Sequence, residues 1–197
     1  MNFKDLCYKN RSYRRFNEST EIDKSTLLDL IDCARVSASA SNLQPLRYVI
    51  SYKKESNDKI FPLTKWAGYL SDWSGPEEGE RPTAYIIILG DTTINKNIRW
   101  DDGIAAQTIL LAAAEKGYGG CMIGSLDRDG IKKLLDIDDA LSVLLIVALG
   151  EPIEKVKIKN LSIDGSVKYW RDENGVHHVP KRLLDDVVTE LHTNQER

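Results

Sequence analysis

Between Asp101 and Lys116 the chain reads DDGIAAQTILLAAAEK, in which only Gln107, Thr108 and Glu115 offer a polar face after the first turn. A helix that is apolar nearly all the way round must be covered on every side. In a chain of 197 residues, the simplest cover is the protein's own core on one side and a second subunit on the other. This segment therefore points to a central helix at a subunit interface.

The remaining pattern supports one α+β domain over residues 1–197, a sheet covered by helices. Phe3, Leu6 and Cys7 predict a first helix ending near Asn10. Asp23 is placed to cap a second helix to Val36, whose apolar face is Leu27, Leu28, Ile31 and Ala34. Strands are expected over Leu46–Tyr52, Thr83–Leu89, Gly119–Ile123 and Leu141–Leu149. Further helices are expected over Lys53–Phe61 and Arg128–Leu135. Val167–Arg171 and Val176–Val179 flank Glu173-Asn174-Gly175, a hairpin signal, and Leu183–His192 reads as a closing helix. Pro62–Pro82, with Trp66, Tyr69 and Trp73, is a long excursion of the kind that forms lids, although its aromatics can equally anchor it to the body of the fold.

Composition excludes several classes of function. With 27 basic and 30 acidic side chains the net charge is -3, so there is no overall field to hold nucleic acid. Cys7, Cys33 and Cys121 are odd in number and widely spaced, which suits reduced thiols in a cytoplasm better than a disulfide framework or a zinc site. The longest apolar run, Val143–Leu149, is far too short to span a bilayer, and no apolar signal core opens the chain. The expectation is a cytoplasmic protein without nucleic-acid or membrane partners. There is no Gly-x-Ser-x-Gly elbow, HExxH helix or P-loop.

Two clusters remain. In Arg11-Ser12-Tyr13-Arg14-Arg15-Phe16, guanidinium groups surround a hydroxyl, which suits a phosphate; such a basic run can also be a solvated face. In Ser39-Ala40-Ser41-Asn42-Leu43-Gln44-Pro45, small side chains permit close approach by a flat ligand. Asn42 and Gln44 there can each read a heterocycle's edge or simply cap backbone groups. One element for a ring and one for a phosphate suggest a mononucleotide. Asp101-Asp102 reads as helix-terminal capping rather than as a catalytic pair. Adjacent His177 and His178 would face opposite ways on a strand, so no metal site is expected there.

Together these segments resemble the nitroreductase family of FMN-dependent oxidoreductases. Arg11, Ser12 and Arg14 match its RRSxRxF segment, with Asn10 where many members carry another Arg. Ala38–Leu46 is similar to PSxxNxQPW, with Ala38 for the Pro and Leu46 for the Trp. Gly117–Ser125 resembles GxGxCWIG, with Met122 for the Trp, although Gly117 also reads as a helix C-cap. Lys181 and Arg182 match a late basic motif before the family's last helix, Arg182 being the better match.

The resemblance implies a central, mostly antiparallel sheet flanked by helices, in an intertwined homodimer with FMN at each subunit interface. It assigns Arg11, Ser12, Arg14, Lys181 and Arg182 to the phosphate side of FMN. Ala38, Ser39, Ala40, Asn42 and Gln44 would come from the partner subunit, and Met122, Ile123, Gly124 and Ser125 would lie along the ring. It further implies hydride transfer from NAD(P)H and then to a nitroaromatic, quinone or similar acceptor in one shared cavity, with no side chain acting as a catalytic acid or base. The alternatives are a flavin-binding or flavin-processing protein without turnover, and a reductase specialised for one metabolite.

Overall fold

The computed structural model describes residues 1–161 and 165–189. Its centre is strand β5, Leu141–Pro152, the longest of the chain. The earlier elements are α1 (Phe3–Lys9), β1 (Phe16–Asn17), α2 (Lys24–Arg35), β2 (Leu46–Ser51), α3 (Lys54–Ile60), β3 (Ala84–Asp91), α4 (Asp101–Glu115), β4 (Gly119–Ile123) and α5 (Arg128–Leu134). One edge of β5 pairs with β3, which in turn pairs with β2, and the other edge pairs with β4; β1 pairs with the last two residues of β5, and all these pairings are antiparallel. A register shift between Ile88 and Leu89 marks a bulge opposite Leu144.

Both faces of this sheet are covered, which explains why its strands read as continuous apolar runs instead of alternating ones. Ala84, Ile86 and Ile88 of β3, with Leu145, Val147 and Leu149 of β5, pack on α2 and α4. Tyr85, Ile87 and Leu89, with Ile146 and Ala148, face Ile60, Trp66 and Ile131 on the other side. The period of two thus sorts each strand between two cores. No described helix is long and apolar enough to cross a membrane.

Most expected elements lie within a residue or two of their places, and Asp23 caps α2 by accepting the Thr26 N–H at 2.7 Å. Several differ. Leu28 is exposed, and Leu30 fills the buried face of α2 in its stead. The outer stripe of α4 is not covered within the chain: Ile104 is 40% exposed. The excursion after α3 is partly core, with Trp66 buried beneath Gly75, whose φ of +126° only glycine adopts readily. Lys65 N–H donates to the Ser125 carbonyl, pinning the start of this excursion to the end of β4.

After β5 the chain forms a small second sheet: β6 (Val156–Asn160), β7 (Trp170–Arg171) and β8 (His177–Lys181). The Asn174-Gly175 hairpin joins β7 to β8, with Gly175 at φ +72°. Strand β6, which is not among the expected strands although Val156-Lys157-Ile158-Lys159 alternates, runs parallel to β8. The closing helix expected over Leu183–His192 is absent where it is described: Leu183–Val188 form only a turn, and residues 190–192 lie outside the described residues. Leu184, Val187 and Val188 are all exposed, so no apolar face is packed to sustain a helix there.

Gly120 of β4 sits against β5, paired with Leu149. A methyl group on it would meet the Ala148 carbonyl oxygen at 2.1 Å, a backbone atom that cannot yield. Gly120→Ala is expected to cost about 3 kcal/mol or more in urea denaturation. Gly124→Ala, which meets nothing within 4 Å, should leave stability nearly unchanged.

Candidate functional site

The segment after α1 lies along the free edge of β4. Ser12 bridges Gly120, and Tyr13 N–H donates to the Gly120 carbonyl at 3.0 Å. This fixes two arginines in opposite directions. Arg15 forms an ion pair with both oxygens of Glu80, which holds that carboxyl below the usual carboxylate range. Arg14 lies over the Tyr169 ring, 5.1 Å from its centroid, while its backbone N–H donates to Glu154 at 2.9 Å. Arg11 donates through Nη2 to the Cys7 carbonyl at 2.6 Å, and its Nε is buried without a partner among the described residues.

These residues open onto a cavity of about 410 Å³. Asn10, Arg11, Ser12 and Arg14 form one wall; Gln107 and Leu110 of α4 and Met122 of β4 form another. Strand β8 supplies the third through His177, Val179 and Lys181, alternate residues on one face. Among the described residues three cations line the cavity, and no carboxylate does. Glu154, almost wholly buried, is already occupied by the Arg14 N–H and by Arg171 at 2.6 Å. Such a set of donors fits a phosphate group.

Alternation also decides between the two late basic residues. Lys181 shares the cavity face of β8 with His177, whereas Arg182 lies beyond the strand, exposed and outside the cavity lining. His178 faces the other way, stacked on Trp170 and bonded to Asp172 at 2.7 Å.

At the end of β4 the Ile123 side chain is buried, while Gly124 and Ser125 are exposed. Their carbonyls are tied inward: Gly124 to Arg128 at 3.1 Å and Ser125 to Lys65 at 2.9 Å. With open space where a Gly124 side chain would stand, this segment presents bare backbone beside Met122. Cys121, one residue before Met122, points into the core, where burial pushes its thiol up to about 12, out of reach of nucleophilic chemistry.

The Ser39 loop is held by an acid that the cap reading misplaces. Trp100, at φ +64°, occupies the cap position of α4, and Asp101 is buried. Its carboxylate accepts from Ser39 Oγ at 2.5 Å and from the Ala40 N–H at 3.2 Å. Ser39 Oγ in turn accepts the Gln44 N–H at 2.9 Å. Held this way, Ser41, Asn42 and Gln44 all adopt left-handed φ values of 51–54° without being glycine. Backbone strain of this kind collects at functional sites.

Ala38, Ser39 and Gln44 border a second cavity of about 450 Å³ between α2, β2 and Asp101; Ala40 and Asn42 are exposed beside it. The chain therefore does not bring the two clusters together. Asp101 and Ala105 border one cavity and Gln107 and Leu110 the other, on flanks of α4 separated by roughly 120–180° of helical rotation.

A model of the nitroreductase family matches residues 8–151, which carry both clusters and the β4 segment. The chain belongs to the nitroreductase family. Among relatives, it is 22% identical over 196 residues to "Putative NAD(P)H nitroreductase YodC" of Bacillus subtilis, covering 84% of this chain and 97% of that protein. A nitroreductase-like protein from Streptococcus mutans shares the fold with a TM-score of 0.70, over 96% of this chain and 98% of its own, at 14% identity. A nitroreductase from Exiguobacterium sibiricum, described as putative and solved in complex with FMN, has a TM-score of 0.66 at 17% identity, over 78% of this chain and 90% of its own. These structural likenesses are likenesses of nitroreductase fold.

Sequence reasoning missed His177, Tyr169, Gln107 and Glu154. Two of them had a signal. Once Lys181 is assigned to the site, a period of two along β8 brings in His177; and Gln107 is one of the few polar residues of α4. No described group of three or more His, Cys, Asp or Glu is placed to hold a metal ion.

The loop's dependence on Asp101 is testable. Asp101→Ala removes two hydrogen bonds to a charged acceptor and is expected to cost about 1.5–3 kcal/mol. Hydrogen exchange at the Ala40 and Gln44 amides should rise well above that of the β3 amides.

Proposed function

We propose that the protein is an FMN-dependent oxidoreductase that uses NADH or NADPH to reduce small electron-poor molecules such as nitroaromatics or quinones. The observation that carries this reading is the cavity joining Arg11, Ser12, Arg14 and Lys181, with the Arg11 Nε buried and unpartnered, in a chain of the nitroreductase family. Bound FMN would supply the hydride chemistry that no side chain of this cavity provides. Arg11, Arg14 and Lys181 would hold its phosphate, with Ser12 between them. Met122, Ile123, Gly124 and Ser125 would border its ring with backbone, and Arg182, off the cavity, is left without a contact.

The partner subunit would contribute Ala38, Ser39, Ala40, Asn42 and Gln44. Two facts support a site made from two chains: the loop and the basic cavity flank α4 on different sides, and the outer stripe of α4 at Ile104 is uncovered. The protein would then be a homodimer, each chain a single FMN-binding domain over residues 1–197. Three free cysteines suit the cytoplasm.

Gently purified protein should be yellow, and heating should release FMN rather than FAD. Arg11→Ala and Arg14→Ala should each weaken FMN binding by about 1.5–3 kcal/mol. A colourless protein that FMN cannot reconstitute would refute the proposal. Bleaching of the bound flavin by NADH or NADPH, then recolouring by a quinone, separates a reductase from a passive flavin carrier. Initial-rate plots should give parallel double-reciprocal lines, because both substrates would share one cavity.

The assembly is tested separately. Ile104 points away from the chain's own core, so Ile104→Glu should leave the fold intact. Light scattering should show loss of a dimer burying more than about 2,000 Å², and the flavin should be lost with it.

A further inference from the structure

His177 is fully buried, and neither ring nitrogen has a hydrogen-bond partner among the described residues. Buried polar groups are rarely left so, and this one stands in the wall of the basic cavity. Its ring packs against Tyr169, tilted, at 5.1 Å between centroids, and the Arg14 guanidinium lies over that same tyrosine. Its Nδ1 is 3.8 Å from Glu154, too far for a hydrogen bond but close enough for strong electrostatic coupling in a dry site.

The charges around the imidazole come from every neighbouring segment. Glu154, after β5, is the one carboxylate against it among the described residues, and that carboxylate is shared by the Arg14 N–H and Arg171. Arg14 and Arg171 add two positive charges, with Arg11 and Lys181 elsewhere in the cavity lining. His178 is turned away and balanced by Asp172, and Lys155 meets His177 only through its backbone carbonyl, which accepts the His177 N–H. A proton on His177 would therefore join a field already in positive excess. A phosphate dianion entering the cavity offsets two of those positive charges and so lowers the cost of a proton on His177.

We propose that His177 is a positioning residue linked to the bound anion: it is neutral in the empty cavity and gains a proton, held toward Glu154, when a phosphate dianion docks on Arg11 and Arg14. The imidazolium would then tie Glu154, and through it the Arg14 backbone, to the occupied state. Burial, reinforced by Arg14 and Arg171 and opposed by Glu154, holds the free imidazole below its ordinary value. Because the anion raises the proton affinity of His177, binding takes up a proton, and affinity falls as pH rises between the free and bound titration points. The ligand's own phosphate, with a second ionisation near about pH 6, acts in the opposite direction, so wild type must be compared with a variant.

The inference rests on the FMN reading. The test is titration calorimetry of FMN into the flavin-free protein at pH 6, in two buffers of different ionisation enthalpy. Wild type should take up roughly half a proton more than His177→Gln, and its dissociation constant should carry an extra pH dependence of up to about tenfold per pH unit. Riboflavin, which lacks the phosphate, should show no such difference. Equal proton uptake by the two proteins would overturn the proposal. Should His177→Gln fail to fold, labelled-histidine NMR of wild type decides: the His177 signal must shift from neutral to protonated at fixed pH when ligand is added. If FMN does not bind wild type at all, the cofactor reading fails, and inorganic phosphate followed by the same His177 signal still tests the coupling.

Discussion

Strand β5 is hydrogen-bonded along both edges and buried on both faces, and each part of the basic site is referred to it. Its pairing with β4 sets Gly120, which positions Ser12, and sets the end of β4, from which Gly124 and Ser125 emerge. Two residues beyond β5 stands Glu154, whose carboxylate holds Arg14 from one side and Arg171 from the other. Glu154 thereby ties the N-terminal arm to the small second sheet, and with it brings β8 to the cavity. A strand so fully committed has no freedom to slip, because a one-residue shift would exchange its two cores.

Helix α4 does for the other half of the site what β5 does for this one. Its first residue, Asp101, holds the Ser39 loop on one flank, while Gln107 and Leu110 wall the basic cavity on another. One rigid element thus fixes the distance between the two clusters without letting them meet inside a chain. The same geometry accounts for the helix's composition: a flank against the sheet, a flank at each cavity and the Ile104 stripe leave few positions where a polar residue would face only water.

Much of this was legible from residue pattern. Strands buried on both faces announce themselves as apolar runs, so β3 and β5 were read directly, and caps such as Asp23 and Gly117 are local chemistry. What failed was non-local. Asp101 looks like a cap because acids favour helix starts, but its partners lie 61 and 62 residues earlier in the chain. Strand β6 is a different case: its Val-Lys-Ile-Lys alternation is a local strand signal, and only its parallel partner β8 is non-local. The closing helix expected over Leu183–His192 finds no surface where it is described, Leu184, Val187 and Val188 being exposed. Lys181 and Arg182, both assigned by the resemblance, differ in strand phase, which only the pairing of β8 sets: Lys181 lines the basic cavity and Arg182 lies beyond the strand.

The costs in this molecule fall where the site is. Elsewhere, charges are matched: Arg15 with Glu80, Lys54 with Glu18, Lys116 with Asp29. Around the basic cavity three cations converge with one shared carboxylate behind them, and a buried imidazole stands unpaired. Around the Ser39 loop three non-glycine residues sit in left-handed conformations, each costing of order 1–3 kcal/mol. Neither arrangement helps the isolated chain fold. A bound anion would offset the first, and a ligand or partner surface meeting the exposed Asn42 and Gln44 would compensate the cost of the second. Departures from local rules cluster at these two places, which carry residues that the family motifs single out.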